Sequence, residues 1–335
     1  MKPVVRVAIN GFGRIGRVFL RAAYRNPHIE IVAINDLAPP ATLAHLLKYD
    51  SIHRRFPGVV NAGETSISVD GREIRVCSVK DPAQLPWKEM NIDVVIESTG
   101  HFTNADGAGL HIKAGAKKVI ISAPSSSSNL KTVVIGVNEG TLTAEDIVIS
   151  NASCTTNNVA PMLKVLDDNW GVEWGYITTI HSYTSDQNLQ DAPHKDLRRA
   201  RAAANSIIPT TTGAAKAVTE VFPSLKGKLG GAGIRVPVPD GSVTDLTCIL
   251  KKTADIQGIN AAFKKASETS LKGILEYTSD PIVSVDVIGS PFSCVFDSEL
   301  TSVLGTMVKV VGWYDNEMGY SNRLVDLVNL INKIQ

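Results

Sequence analysis

The chain has few cysteines and no pattern among them: Cys77, Cys154, Cys248 and Cys294 lie far apart, with no Cys-x-x-Cys and no cysteine/histidine ligand spacing. That excludes a disulfide framework, predicts no metal site and fits a reducing compartment. Charge of one sign is also missing, since 34 basic and 33 acidic residues nearly cancel. No global field draws such a chain to nucleic acid or to an anionic membrane, so any anion specificity is local. No apolar run is long enough to span a bilayer, and Met1-Lys2-Pro3-Val4-Val5 leads into a strand without a signal-peptide cleavage pattern. A cytoplasmic location is the expectation. What is present is length: 335 residues predict two domains, each able to bury its own core.

The first of them is announced by a βαβ unit. Val4 to Ile9 reads as a short apolar strand and runs into Asn10-Gly11-Phe12-Gly13-Arg14-Ile15-Gly16. Ile15, Val18, Phe19, Ala22 and Ala23 then recur at helical spacing, and Glu30 to Asp36 supplies the second strand. In this context Gly11 permits the tight turn, Gly13 lets the backbone approach a pyrophosphate, and Gly16 lets the helix pack close to the strand. Asp36 stands where a ribose hydroxyl is accepted; its charge repels a 2′-phosphate, which favours NAD over NADP. Further apolar strands at Ile92 to Ile96, Lys118 to Ile121, Thr132 to Ile135 and Ile147 to Ile149 complete a doubly wound α/β pattern. The segments Glu97-Ser98-Thr99-Gly100 and Ser122-Ala123-Pro124 follow two of these strands, at the ends where ligands of open sheets lie.

The second domain opens with Ser150-Asn151-Ala152-Ser153-Cys154-Thr155-Thr156-Asn157, which sets one cysteine where a helix begins. Ser153 and the threonines are natural N-cap and first-turn residues, and Ala160, Met162, Leu163, Val165 and Leu166 give the helix its apolar spacing. Pro161 is expected near the helix start, where its missing N–H matters least. The positive end of the helix favours a thiolate and offers donors to an oxyanion. By itself Cys154 reads more readily as a small buried hydrophobe, and the rest of the chain reverses that.

Downstream, the strand Tyr176 to Ile180 delivers His181 ahead of a polar segment, the best placed base for a cysteine nucleophile among the 7 histidines. A structural histidine is the alternative. Asp191 to Arg201 is a charged stretch that reads mostly as an exposed loop or subunit contact. Pro209 to Lys216 brings hydroxyls and Gly213 ahead of a helical run, a small anion site, and Arg235 in a strand requires an anionic partner.

Taken together, the Asn10 to Gly16, Ser150 to Asn157, Thr178 to Thr184 and Trp313 to Glu317 motifs resemble those of phosphorylating glyceraldehyde-3-phosphate dehydrogenases, in the same order and across nearly the whole chain. The resemblance implies a Rossmann-type sheet at 1–150, completed by the helix at 317–335, and an α+β catalytic domain at 151–316. It implies that Cys154 attacks an aldehyde with His181 as base and ion-pair partner, that a hydride passes to NAD, and that inorganic phosphate releases the acyl group. Thr184 and Arg235 are implied to hold the substrate phosphate. Ser153, Thr155, Arg199, Thr212 and Gly213 are implied to hold the attacking phosphate. The cofactor set is Gly11, Gly13, Arg14, Ile15, Gly16, Asp36, Lys80, Ser122 and Asn316, with Leu37 and Pro193 the pairing associated with NAD. D-Glyceraldehyde 3-phosphate and phosphate are the implied partners of a homotetramer, with the loop from Ser182 to Arg201 against a neighbour.

Three residues depart from the family pattern: Asn158 replaces a frequent second cysteine, Lys80 a common arginine, and Met318 a tryptophan or threonine. Erythrose-4-phosphate dehydrogenase is the rival within the fold, with Thr210 to Lys216 favouring the triose enzyme. A nucleic-acid-binding role of the same fold is the rival from another class, and the balanced charge argues against it.

Overall fold

The computed structural model describes residues 4–334; Met1, Lys2 and Pro3, read above as the lead into the first strand, and Gln335 lie outside the described residues. Two compact units emerge. One comprises Met1–Val133, Glu139–Ala152 and Ser321–Gln335, the other Val134–Asn138 and Ser153–Tyr320.

The first unit contains strands β1 (Val5–Asn10), β2 (Ile29–Asn35), β3 (Tyr49–Asp50), β4 (Arg54–Arg55), β5 (Val60–Ala62), β6 (Ser66–Val69), β7 (Arg72–Cys77), β8 (Val94–Glu97), β9 (Lys118–Ile121), β10 (Lys131–Thr132) and β11 (Val148–Ser150). Its helices are α1 (Arg14–Ala23), α2 (Pro40–Lys48) and α3 (Ala105–Lys113). Apart from the β3-β4 pair, the strands form one sheet in the order β10-β11-β9-β8-β1-β2-β7-β6-β5. Every pair from β7 through β1 to β10 is parallel. The chain therefore winds outward from β1 through β2 to β7, then returns to β1 and winds the other way through β8. That reversal puts a topological switch point between β1 and β8, and ligands of such sheets bind beyond the carboxyl ends there. All four residues of β8 and of β9 are buried, which is why these strands read as unbroken Val/Ile runs rather than as alternating ones.

The strand expected at Thr132 to Ile135 shrinks to β10. After Val133 donates to the Ser150 carbonyl, the Val134 N–H turns to the Asn138 side chain and Gly136 takes φ 88°. The backbone there spends its hydrogen bonds on a turn instead of a ladder.

The second unit contains α4 (Cys154–Trp170), β12 (Val172–Ser182), β13 (Ile208–Thr210), α5 (Ala214–Val221), β14 (Leu229–Val236), β15 (Ser242–Leu250), α6 (Ile256–Glu268), β16 (Leu275–Thr278), β17 (Cys294–Asp297), β18 (Ser302–Leu304) and β19 (Met307–Tyr314). The division between units falls inside α7 (Met318–Ile334). The strands form a mixed sheet, β13-β14-β12-β15-β19-β17-β16, with β18 beside β19. Along β15 the buried residues alternate strictly, from Ser242 and Thr244 to Leu246, Cys248 and Leu250. The last three join Val159, Met162, Leu163 and Leu166 of α4 and Phe263 of α6 in one core. Phe263 stacks on Phe296 at 3.9 Å, and truncating such a ring costs about 3–5 kcal/mol.

Pro161 corrects the sequence expectation: it lies in the interior of α4, not near its start. Its ring removes the bond to the Asn157 carbonyl, yet the helix continues because Val159 to Leu163 are all fully buried. Among the described residues no helix is long and apolar enough to cross a membrane.

Candidate active site

The chain turns between β11 and α4 at Ala152, whose φ of 56° falls in the left-handed region that non-glycine residues rarely adopt. Ser153 then caps α4, its Oγ accepting from the Thr156 N–H at 3.0 Å, as its N-cap chemistry predicts. Cys154 is the first helical residue, and the Thr155 backbone N–H donates to its sulfur. Its Sγ lies 3.4 Å from Nε2 of His181. His181 belongs to β12 itself, which runs on beyond the expected strand to Ser182. The register of β12 with β14 pairs His181 with Arg235, bringing the three residues together from a helix start and two strands.

His181 Nδ1 lies 2.7 Å from the Ser182 carbonyl, so it is the protonated nitrogen and Nε2 is left to accept from the thiol. Nη1 of Arg235 donates to that same carbonyl and to Thr184 Oγ1, each at 2.9 Å, and sits 3.1 Å from the ring nitrogen. Burial and then the Arg235 charge push the imidazole down from 6.5 to about 3. Burial pushes the Cys154 thiol up, against the pull of Arg235 and the hydrogen bonds from Thr155. The helix end was expected to favour a thiolate; desolvation opposes it at both groups, pushing the thiol up and the imidazole down.

Around this pair the polar groups are shared. Asp186 accepts from Thr184 through one oxygen and from Arg199 Nη1 at 2.8 Å through the other. Arg199 also donates to Thr210 Oγ1 at 3.0 Å and reaches the Thr211 carbonyl at 3.4 Å. Thr212 accepts from the Ala214 N–H, with Gly213 at the N-cap of α5. Asn316 holds its Oδ1 to the hydroxyls of Ser182 at 2.8 Å and Ser242 at 2.7 Å. Asn158, at the position of the frequent second cysteine, is fully buried and donates to the carbonyls of Ser293, Gly312 and Trp313.

Two participants escaped the sequence reading. Tyr314 is buried with its hydroxyl 3.0 Å from Thr155 Oγ1 and 2.9 Å from Thr179 Oγ1, and its ring meets His181 edge-on. Asp186 was passed over as part of a polar loop. The motif containing Tyr314 was visible, but only the β19-β15-β12 pairing brings it to the cysteine.

In the first unit, Gly11, Gly13, Asp36, Leu37 and Lys80 line a cavity of about 370 Å³ at the carboxyl ends of β1 and β2, together with Asn10, Asn35, Ser98, Thr99 and His101. Gly11 has φ 90°, and a Cβ there would meet the Thr99 backbone at 2.8 Å. Gly13 faces open space instead. Asp36 is fixed from both sides, accepting from Phe12 N–H at 2.8 Å and Ala38 N–H at 3.0 Å. Arg14 and Ile15 open α1, where Arg14 makes a two-pronged pair with Asp50 at 2.6 and 3.1 Å. That pair and two backbone donors bring the Asp50 carboxyl down to about 2 despite its burial. Gly16 packs against the Gly11 carbonyl, and Ser122 follows β9, its N–H bonded to the Glu97 carbonyl.

Residues 5–105 match the family of the glyceraldehyde 3-phosphate dehydrogenase NAD binding domain, and residues 153–316 match that of the glyceraldehyde 3-phosphate dehydrogenase C-terminal domain. The glyceraldehyde-3-phosphate dehydrogenase of Mycobacterium avium is 58% identical over 98% of this chain and 99% of its own length. Glyceraldehyde-3-phosphate dehydrogenase 2 of Streptomyces avermitilis is 59% identical over 96% of this chain and 97% of its own.

Proposed function

The chain belongs to the glyceraldehyde-3-phosphate dehydrogenase family, and from that premise we propose that Cys154 is its nucleophile and His181 its base. The enzyme is an NAD-dependent oxidoreductase that converts D-glyceraldehyde 3-phosphate and inorganic phosphate to 1,3-bisphosphoglycerate, a reversible step of glycolysis. The family matches support this reading rather than erythrose 4-phosphate oxidation or a nucleic-acid role. The observation that carries the site assignment is the 3.4 Å contact of Cys154 Sγ with His181 Nε2 at a helix start, beside Arg235.

The first unit fits a dinucleotide. Gly13 leaves a space that a Cβ would fill, and Asp36 keeps acceptor capacity beyond its two backbone bonds. Gly11, Gly13, Arg14, Ile15, Gly16, Asp36, Lys80 and Ser122 would hold the cofactor, and Asn316 would offer its amide N–H to it. When bound, NAD supplies the acceptor for a hydride from the substrate carbon.

As the sulfur attacks the aldehyde carbon, its proton passes to His181 Nε2, and the oxyanion finds the Cys154 N–H and the imidazolium. The imidazolium returns its proton to that oxygen, giving the hemithioacetal and a neutral imidazole. His181 then removes the hydroxyl proton as the hydride departs, leaving a thioester. A phosphate oxygen adds to the thioester carbon, the carbon–sulfur bond breaks, the departing sulfur takes the proton back from His181, and the acyl phosphate leaves with the Cys154 thiol restored. Thr184 and Arg235 would grip the substrate phosphate, while Ser153, Thr155, Arg199, Thr212 and Gly213 would grip the attacking one.

The domains implied by this reading are 1–150 with 317–335 for the cofactor and 151–316 for catalysis. The division of the compact units at Ala152 and Tyr320 supports those limits, although Val134–Asn138 groups with the second unit. A cytoplasmic homotetramer completes the proposal. Its support is exposed apolar surface: Trp174 and Tyr176 on β12, and Leu189, Leu197 and Ile207 in the segment after it. Sedimentation of the purified chain as a monomer would contradict the tetramer.

NADH formation from NAD and D-glyceraldehyde 3-phosphate, with and without phosphate, tests the reaction. Phosphate-dependent turnover is the expected result; turnover chiefly on erythrose 4-phosphate, or indifferent to phosphate, would overturn the substrate or acceptor.

A further inference from the structure

The carboxyl ends of β2, β1 and β8 carry Asn35, Asn10 and Glu97, which face one another in register across the sheet. All three side chains are buried, at 6%, 1% and 1% exposure, where an unpaired polar group is costly. Their pairing continues laterally. Asn35 Nδ2 donates to Asn10 Oδ1 at 2.7 Å, and Asn10 Nδ2 donates to Glu97 Oε2 at 2.6 Å. Behind them lies His111 of α3, at 0% exposure, with Nε2 3.0 Å from the same Glu97 oxygen.

Trp87 decides the form of that histidine. Its indole N–H is a donor only, and it lies 2.9 Å from His111 Nδ1, so Nδ1 accepts and the ring proton sits on Nε2, aimed at Glu97. The other oxygen of Glu97 accepts from the Thr99 N–H at 2.9 Å and from the Thr99 hydroxyl. At the far end Asn35 exchanges two bonds with the backbone of Val79, both at 2.9 Å. Glu97 is thus held by Asn10, His111 and Thr99, and its outward arms end on Thr99 and, through Asn10 and Asn35, on Val79. Both residues line the nucleotide cavity, whereas Trp87 and His111 do not.

We propose that Trp87 and His111 are positioning residues for nucleotide binding: they orient Glu97, which through Thr99 on one side and Asn10, Asn35 and Val79 on the other sets the two walls of the cavity. The inference rests on the reading of that cavity as the NAD site. A relay of this kind acts at the switch point of the sheet, where a dinucleotide needs both walls fixed in advance, and pre-organised walls spare the ordering cost on binding.

The test is calorimetric binding of NAD and of ADP-ribose, which lacks the nicotinamide, to the full chain and its variants. Trp87→Phe removes the donor that fixes His111 and should weaken both ligands about tenfold, the equivalent of one poorly satisfied buried hydrogen bond. The KM for NAD should rise in step while kcat at saturating NAD and the KM for the triose phosphate stay put. His111→Gln, which can still donate to Glu97, should lose less affinity than His111→Phe. Lowered melting temperatures with unchanged ADP-ribose affinity would reduce the network to a structural role and overturn the inference. If His111→Phe does not fold, Trp87→Phe alone decides. Loss of affinity in Asp36→Ala but not in Trp87→Phe would overturn the inference and spare the cofactor site; an unsubstituted chain that binds neither ligand would overturn both.

Discussion

His111 and His181 are both buried, at 0% and 5% exposure, and differ in what their nitrogens meet. The nitrogens of His111 meet groups of fixed role, Nδ1 the Trp87 donor and Nε2 the Glu97 acceptor with the Asn10 amide beside it at 3.3 Å. His181 has a satisfied side at the Ser182 carbonyl, but its Nε2 faces a thiol and Arg235 crowds its other nitrogen. Burial in a completed network makes an imidazole a fixed positioning group. In the proposed mechanism, burial beside a cation and the Cys154 thiol suits His181 to pass a proton, because a proton arriving on it meets unfavourable surroundings and is readily handed on.

The largest break in that contrast is Cys154→Ser, which should lower turnover by at least about 10³-fold while calorimetry shows NAD binding intact. Appreciable residual turnover would refute covalent catalysis. Next comes Arg235→Leu. Losing a charge-assisted grip on a phosphate should cost about 100-fold in kcat/KM for the triose phosphate. Because Arg235 helps hold the His181 imidazole low, the acid limb of the pH profile should also move to higher pH. An unmoved limb would separate the arginine from the base. In the other unit, Asp36→Ala should raise the NADP/NAD ratio of kcat/KM about tenfold by removing a like charge, and an unchanged ratio would refute the electrostatic account of cofactor choice.

The smallest expected effect is on stability. His181 takes up its proton near 3 when folded and near 6.5 when unfolded, so between those values the unfolded chain binds the extra proton. Its contribution is fully present above about pH 6.5 and is lost as the pH falls toward 3. His181→Phe should flatten the fall of melting temperature across that window, and a parallel curve would show that the buried ring is not its source.

Much of this was legible in the sequence because its causes are local. The turn at Gly11, the strand-to-helix context of Gly13 and Gly16, and the Ser153 cap follow from backbone sterics and the orphan groups of a helix end. Pro161 was misread because its tolerance depends on tertiary burial of the helix around it. The contacts of Tyr314 and the Trp87–His111–Glu97 relay carried no local signal. Each acts through partners distant in sequence: Tyr314 meets Thr155 across 159 positions and Asn10 meets Glu97 across 87.

By itself the sequence offered the reacting groups, since a capped helix start with a cysteine, a histidine at a strand end and a glycine turn before an acid are patterns of residue type and spacing, and the four ordered motifs carried the resemblance that implied the reaction. Only the tertiary structure decided the state of those groups. Protonation depends on desolvation and on charges that arrive from other strands, which is why burial pushes the Cys154 thiol up and the His181 imidazole down, against the pull of the helix end.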